Sequence, residues 1–545
     1  MILLVTSLIF ILPTLLGWGF LSEKILKINI CDGLAGKLIG GIFALSIIFT
    51  CIAFFNGLSI YIETIALAVG MFFFSKEKIY KTLWLFLKNA GLLFYVAIFA
   101  IIFAASFAPF ILDHFGYYQP TIQWITEYGL VKGISNLDLT LGQMSVWHIF
   151  QAGFSHFADP SLRINAVLLI VYLIYIFENR AWLHLCFVPI FLLFVQSPSP
   201  DLPAYIFSLI IVQEVLAKKQ IQNGLLAFSI FVFTIKMTVI WLPIFTFLFL
   251  ISQKKLSQKD IFVGAAILVL FLFKNTWVFG YPIFPLIVFD LNLPWKPNAE
   301  MMKMSSEYAA LKTYDAQYSL EQIKKFTTAE KIKNWLFLPG IKSFFNLGLI
   351  ISLLFYGVFT WFKKEKLHYF LFLALVLKST LIISFSAQYR FFIEVFPVIL
   401  ITVFFAFNIK RTSTLLFSVG SLVAILFLST PEILKTVVPS FRLGSTMRKF
   451  QFTQLYKPSE YQYKSFNTFK IGNIHVNVSK KYPFNFDTPL PAISESFMFD
   501  YQKLGIFPQL KDSKNIKKGF IWKKLNKQEK TELNSAIKTI QNNYK

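Results

Sequence analysis

The sequence predicts an all-α polytopic membrane protein carrying a small mixed α/β domain at its C-terminal end. Three observations support this. The 545 residues are 56% hydrophobic and only 15% charged, where soluble proteins average about 25% charged. Many apolar runs approach the roughly 18–20 residues that cross a bilayer, and none shows the ~10-residue alternation of a transmembrane barrel. After Pro431 the chain turns polar, aromatic and turn-rich.

The elements follow from the placement of charge. The net charge of +24 must lie in loops and tails, so it carries topology. The opening run MILLVTSLIFILPTLLGWGFLSEK lacks a basic leader and a small-residue cleavage site, and reads as a first span. Basic connections recur at SEKILKINICDGLAGK, SKEKIYKTLWLFLK, ENR, AKKQIQNG, SQKKLSQKD, FKKEK and NIKRTS. Placing them all in the cytoplasm gives roughly 12–14 spans over residues 1–430. Large external loops then fall at 110–163 and 274–343, and residues 431–545 lie outside. The run LLAFSIFVFTIKMTVIWLPIFTFLFLI must be broken near Lys236 to keep this parity, and broken helices are tolerated where they line a polar cavity. The expected location is the bacterial inner membrane, with the C-terminal domain on the periplasmic side.

In that domain NIHVNVS alternates like a strand, KGFIWKKL reads as another, and NKQEKTELNSAIKTIQNNYK reads as a helix capped by Asn526. Cys31, Cys51 and Cys186 form no disulfide framework or zinc spacing, and the six histidines form no metal motif. No metal, cofactor or nucleic acid is expected; the bilayer is the first partner.

Four stretches could carry chemistry. In DHFGYYQPTIQWITEYGL a carboxylate, Asp113, stands at the end of an apolar run, where it is either a general base or a polar cap with interfacial aromatic anchors. Lys236 lies inside an apolar run and Lys274 follows another; each is a functional cation or a snorkelling one. In KNTWVFGYPIFPL, Gly280, Pro282 and Pro285 fix a turn beside Asn275 and Tyr281, whose amides could meet an anion. In SFSAQYRFFIEVFP, Arg390 follows Tyr389 in a short connection. It reads as a phosphate ligand, an interfacial anchor or an i,i+4 partner of Glu394. One acid and several cations thus fall on one face. Sugar transfer from a lipid phosphate needs such a set, a base for the acceptor hydroxyl and cations for the departing phosphate.

From Asp113 onward the chain resembles the GT-C superfamily of polytopic glycosyltransferases, and within it a bacterial branch found in spirochaetes and Bacteroidetes. The likeness rests on Asp113, Tyr117, Tyr118, Gln119, Trp124, Glu127-Tyr128-Gly129, Gly133 and Asn136, then Lys274-Asn275, Gly280-Tyr281-Pro282, Pro285 and Arg390-Phe391. The tail phrase TPLPAIS is also similar to that branch's ending. It covers positions ~110 to ~400 at the branch's spacing. Tyr118 stands where that branch has His, and Lys274 where it has Arg. Asp113-His114 replaces the acid pairs of some families, and one carboxylate beside an imidazole is a poor hard-cation site.

The resemblance implies an inverting GT-C transferase of class EC 2.4 that uses a polyprenyl-phosphate sugar and a glycan, lipid or protein acceptor of the cell envelope. Asp113 would be the base, assisted or oriented by His114 or Glu127. Lys236, Lys274 and Arg390 would hold the donor phosphate, and Tyr117, Tyr118, Gln119, Asn275, Tyr281 and Tyr389 would line the substrate. A transporter or flippase for a lipid-linked or anionic solute would use the same cations without a base, and a non-catalytic assembly protein would use the basic tail.

Overall fold

The computed structural model describes residues 1–27, 29–217, 223–407, 409–437 and 446–543. The basic connection AKKQIQNG and the start of the polar tail lie largely outside the described residues, as does the residue opening NIKRTS.

Helices dominate. Six are long and apolar enough to cross a bilayer: Ile2–Ile25, Gly33–Ala53, Gln258–Phe279, Ile341–Lys363, Lys366–Phe385 and Lys410–Ser429. Ile79–Asn89 and Leu92–Ala105 form a pair bent by 104°. The other apolar helices are shorter, among them Ile164–Asn179, Leu225–Ile235, Met237–Ser252 and Val395–Phe404. At ~1.5 Å per residue, a 16-residue helix spans about 24 Å, less than the ~30 Å hydrocarbon core. The 12–14 apolar segments expected from the sequence are therefore not uniform crossings but long helices interleaved with short and bent ones.

The N-terminal helices pack through backbone contact. A Cβ at Gly17 would stand 1.9 Å from the Gly70 carbonyl oxygen, and one at Gly41 2.1 Å from that of Leu15. Small residues let apolar helices approach this closely without a hydrophobic driving force between them.

Two local breaks shape the candidate site. The helix Leu225–Ile235 ends where Lys236 turns extended (φ −148°, ψ 113°), and the chain resumes at Trp241–Ser252, so the expected interruption at Lys236 is present. The apolar run before Asp113 leaves the helix earlier than the sequence suggests. Its helix stops at Ala105, and the non-helical stretch before Asp113 contains Pro109, which removes a backbone donor. Asp113 does not terminate a span; it opens a π-helical turn, His114–Tyr118, that leads into the helix Gln119–Glu127. Such turns recur at functional sites.

The C-terminal part holds two antiparallel hairpins, β1 (Phe466–Ile471) with β2 (Ile474–Ser479) and β3 (Ile506–Leu510) with β4 (Phe520–Lys524). Both strands read from the sequence are there, and Asn526 caps the final helix in a reciprocal box with Glu529. This part sits on the loop around Asp113. Ser459 N donates to Ser106 O (2.7 Å), Tyr501 Oη to Asn136 O (2.6 Å) and Phe520 N to Lys132 O (2.9 Å). The Met1 ammonium donates to Gln454 O at 2.5 Å. The N-terminus, the Asp113 loop and the C-terminal domain thus share one end of the bundle.

Candidate functional site

The π turn directs the Asp113 carboxylate at Arg390, 277 residues later. Arg390 Nη1 donates to Asp113 Oδ2 at 2.8 Å, with the two side chains 41% and 31% exposed. Asp113 makes no capping hydrogen bond. Arg390 sits in the short turn Tyr389–Phe391, its carbonyl accepts from Tyr205 Oη at 3.0 Å, and its guanidinium lies 5.1 Å from the Phe391 ring centre. Burial opposes its charge, but the Asp113 carboxylate outweighs it and holds the guanidinium more firmly protonated than usual. Arg390 Nε is buried and has no hydrogen-bond partner among the described residues.

Lys236 comes to the same place. Its ammonium pairs with Asp201 and lies 5.6 Å and 5.4 Å from the centres of the Tyr205 and Phe391 rings. Asp201 Oδ2 accepts from Ser199 Oγ at 3.2 Å, and Ser199 Oγ accepts from Tyr118 Oη at 3.4 Å. A polar chain therefore runs from the aromatic turn to Lys236. Burial, and after it neighbouring negative groups including Asp113, push the Tyr117 and Tyr118 hydroxyls up, so both are neutral at ordinary pH. Behind this cluster Lys378 pairs with Glu394, with the two side chains 0% and 1% exposed. The i,i+4 pairing of Arg390 with Glu394 does not form, because each has a partner from another segment.

The remaining candidates are spread more widely. Lys274 is buried, and its ammonium donates to the carbonyls of Met144 (2.7 Å) and Gln143 (3.3 Å), which anchors the loop before the helix Val146–Ala152. Asn275 Nδ2 donates to Pro282 O at 2.9 Å and closes the turn that holds Tyr281, itself buried against Phe279. His114 is buried beside Phe115, and its Nδ1 has no partner among the described residues. Burial, with Arg163 and His148 adding, holds its imidazole well below the usual range, hence neutral. Gln119 begins the helix that Glu127 ends; Glu127 is exposed and accepts from Gln123 Nε2 at 3.0 Å, at the far end from Asp113. Tyr389 stacks on Phe345 at 5.3 Å.

Asp201 and the pair Lys378–Glu394 are additions that sequence reading did not assign. Lys378 carried the same signal as Lys236, a lysine within an apolar run. Arg163 is a third: buried, it donates to Ala105 O (3.0 Å) and Ser459 O (2.9 Å), stitching the loop before Asp113 to the C-terminal domain. Among the described residues no group of three or more His, Cys, Asp or Glu side chains is placed to hold a metal ion.

The site thus assembles two half-exposed or shallow carboxylate–cation pairs, one sealed pair and an aromatic wall at the end of a helical bundle. Such an arrangement can take an anion on its cations and a proton on its carboxylates. No curated protein and no solved structure matches the chain. Residues 1–397, the whole helical part up to and including this cluster, match the family described as a domain of unknown function, DUF8201, and the chain belongs to that family.

Proposed function

We propose that the protein is a membrane glycosyltransferase of GT-C type, moving a sugar from a polyprenyl-phosphate donor to an acceptor of the cell envelope with inversion. The pairing of Asp113 with Arg390 carries the reading. A carboxylate suited to take a proton and a guanidinium suited to hold a phosphate lie within one hydrogen bond, both partly exposed, and this supports the reading. In the reaction the acceptor hydroxyl oxygen attacks the anomeric carbon. Its proton passes to a carboxylate oxygen of Asp113, and the bond from the anomeric carbon to the phosphate oxygen breaks. The electron pair leaves on the phosphate, whose charge Arg390 and Lys236 stabilise. No metal or cofactor takes part in this scheme.

Asp113, Asp201 and Glu394 balance Arg390, Lys236 and Lys378. A phosphate that takes Arg390 displaces Asp113 and leaves its carboxylate free to accept a proton. The donor thereby uncovers the base. Lys274, committed to backbone carbonyls, serves in this reading by holding the loop behind the aromatic wall.

The test is transfer of radiolabelled sugar from a polyprenyl-phosphate donor by the purified protein, wild type against Asp113→Asn. Equal rates in the two proteins sink the proposal, and anion movement without transfer favours a transporter. The site and the C-terminal domain are assigned to the periplasmic side of the inner membrane; a cysteine at Ser465 should be labelled in intact spheroplasts, and labelling only after permeabilisation reverses the assignment.

A further inference from the structure

A cavity of about 190 Å³ opens on the side of the Tyr389–Phe391 turn that bears Tyr389. Its lining includes Lys312, Asp315, Lys342, Asn346, Gln388 and Tyr389. Its volume is below the ~300–1,000 Å³ of sites that engulf a whole small molecule. It is also several times the ~30 Å³ that a water occupies. It suits one residue of a larger ligand.

The walls are built rather than incidental. Trp335 Nε1 donates to Ala387 O at 2.7 Å, Ala387 N donates to Thr313 Oγ1 at 3.2 Å, and Asn346 Nδ2 donates to Trp335 O at 2.7 Å. Asn346 is 1% exposed, and its Oδ1 has no hydrogen-bond partner among the described residues, a buried acceptor that calls for a donor. Asp315 and Ala316, on the rim, both hold φ of +55°, a left-handed conformation costly outside glycine.

The chemistry of the lining points to a particular ligand. Amide groups and a carboxylate beside an aromatic face match the hydroxyls and C–H face of a sugar ring. The charges add a further requirement. Lys342 pairs with Asp315, while among the described residues no carboxylate pairs with the exposed Lys312. The cavity therefore carries one positive charge in excess, which a single negative charge completes.

We propose that this cavity is a subsite for one acidic sugar residue, a pyranose bearing a carboxylate. Its assignment to the acceptor rests on the transferase reading above; its capacity to bind the sugar does not. Tyr389 is the link, because it lines the cavity while the next residue, Arg390, holds Asp113.

The experiment is saturation-transfer NMR on the full-length protein in detergent, with methyl β-glucuronide, methyl β-glucoside and acetate as probes. The glucuronide should bind more tightly than either of the others, by about three- to fivefold over the glucoside, the most that an exposed ion pair supplies. Lys312→Gln, an exposed change that leaves the fold alone, should erase the preference, and Lys342→Gln should do the same. Equal binding of glucuronide and glucoside, equal binding of glucuronide and acetate, or an unchanged preference in Lys312→Gln overturns the proposal. Asp113→Asn should retain full glucuronide binding while losing transfer, so failure of the subsite and failure of the transferase reading are seen separately.

Discussion

Two ion pairs drawn from one short stretch of chain show opposite designs. Arg390 reaches Asp113 where both side chains remain well exposed, 41% and 31%. Four residues later Glu394 meets Lys378 at 1% and 0%. The groups are of the same kind, but the surroundings differ. A sealed pair is expensive to separate, because each charge left alone would stand in a low-dielectric interior. An open pair is worth little, since water screens it and can replace either partner. The first therefore positions the segment after the Tyr389–Phe391 turn, and the second is free to exchange its carboxylate for another anion. On the proposed reading, chemistry belongs at the pair that can be broken.

The comparison can be tested from the strongest expected effect downward. Asp113→Asn keeps size and hydrogen bonding and removes the charge, so sugar transfer should fall by about 10²–10⁴-fold, the contribution of a general base, in a protein that still folds and inserts. Transfer at the wild-type rate would make the open pair merely electrostatic decoration. Lys378→Ala strips one partner from the sealed pair and should destabilise the protein by about 3–5 kcal/mol, read as a lowered denaturant midpoint in detergent. Replacing both members, Lys378→Met with Glu394→Leu, should recover most of that loss; if the double variant is as unstable as the single one, the pair is not acting as a unit.

Arg390→Ala should weaken donor binding by about 1.5–3 kcal/mol, the range for a hydrogen bond to a charged group. Arg390→Lys should recover only part of this because the planar fork is gone. An unchanged affinity measured by calorimetry with a polyprenyl phosphate would return Arg390 to an interfacial anchor. The smallest effect is the most discriminating. In Asp113→Asn the carboxylate no longer competes for Arg390, so polyprenyl phosphate should bind more tightly, by up to about fivefold, given the ~0–1 kcal/mol value of an exposed pair. Weaker binding in that variant would mean that the phosphate does not displace Asp113.

Much of the local structure was legible before the fold was known. Lys236 inside an apolar run marked a break, and the chain is extended there. Alternation in NIHVNVS and the Asn526-to-Glu529 spacing marked β2 and the terminal cap. These are short-range signals, set by backbone donors, side-chain periodicity and charge within a few residues. The end of the helix before Asp113 was misplaced by several residues for a related reason: hydropathy alone does not register that Pro109 and its neighbours leave the helix while remaining buried.

The site was legible only as a collection of unusual charges. The sequence by itself determined that acids and cations would be stranded in or beside apolar runs, where each must find a partner, because an isolated charge in hydrocarbon is costly. It did not determine which partners. Only the tertiary structure decided that Arg390 meets Asp113 rather than Glu394, that Lys236 meets Asp201, and that Lys274 spends its protons on the carbonyls of Gln143 and Met144. Those choices depend on how short and bent helices bring distant segments to one end of the bundle. A requirement for neutralisation is local, whereas the direction from which the neutralising group arrives is a property of the packing.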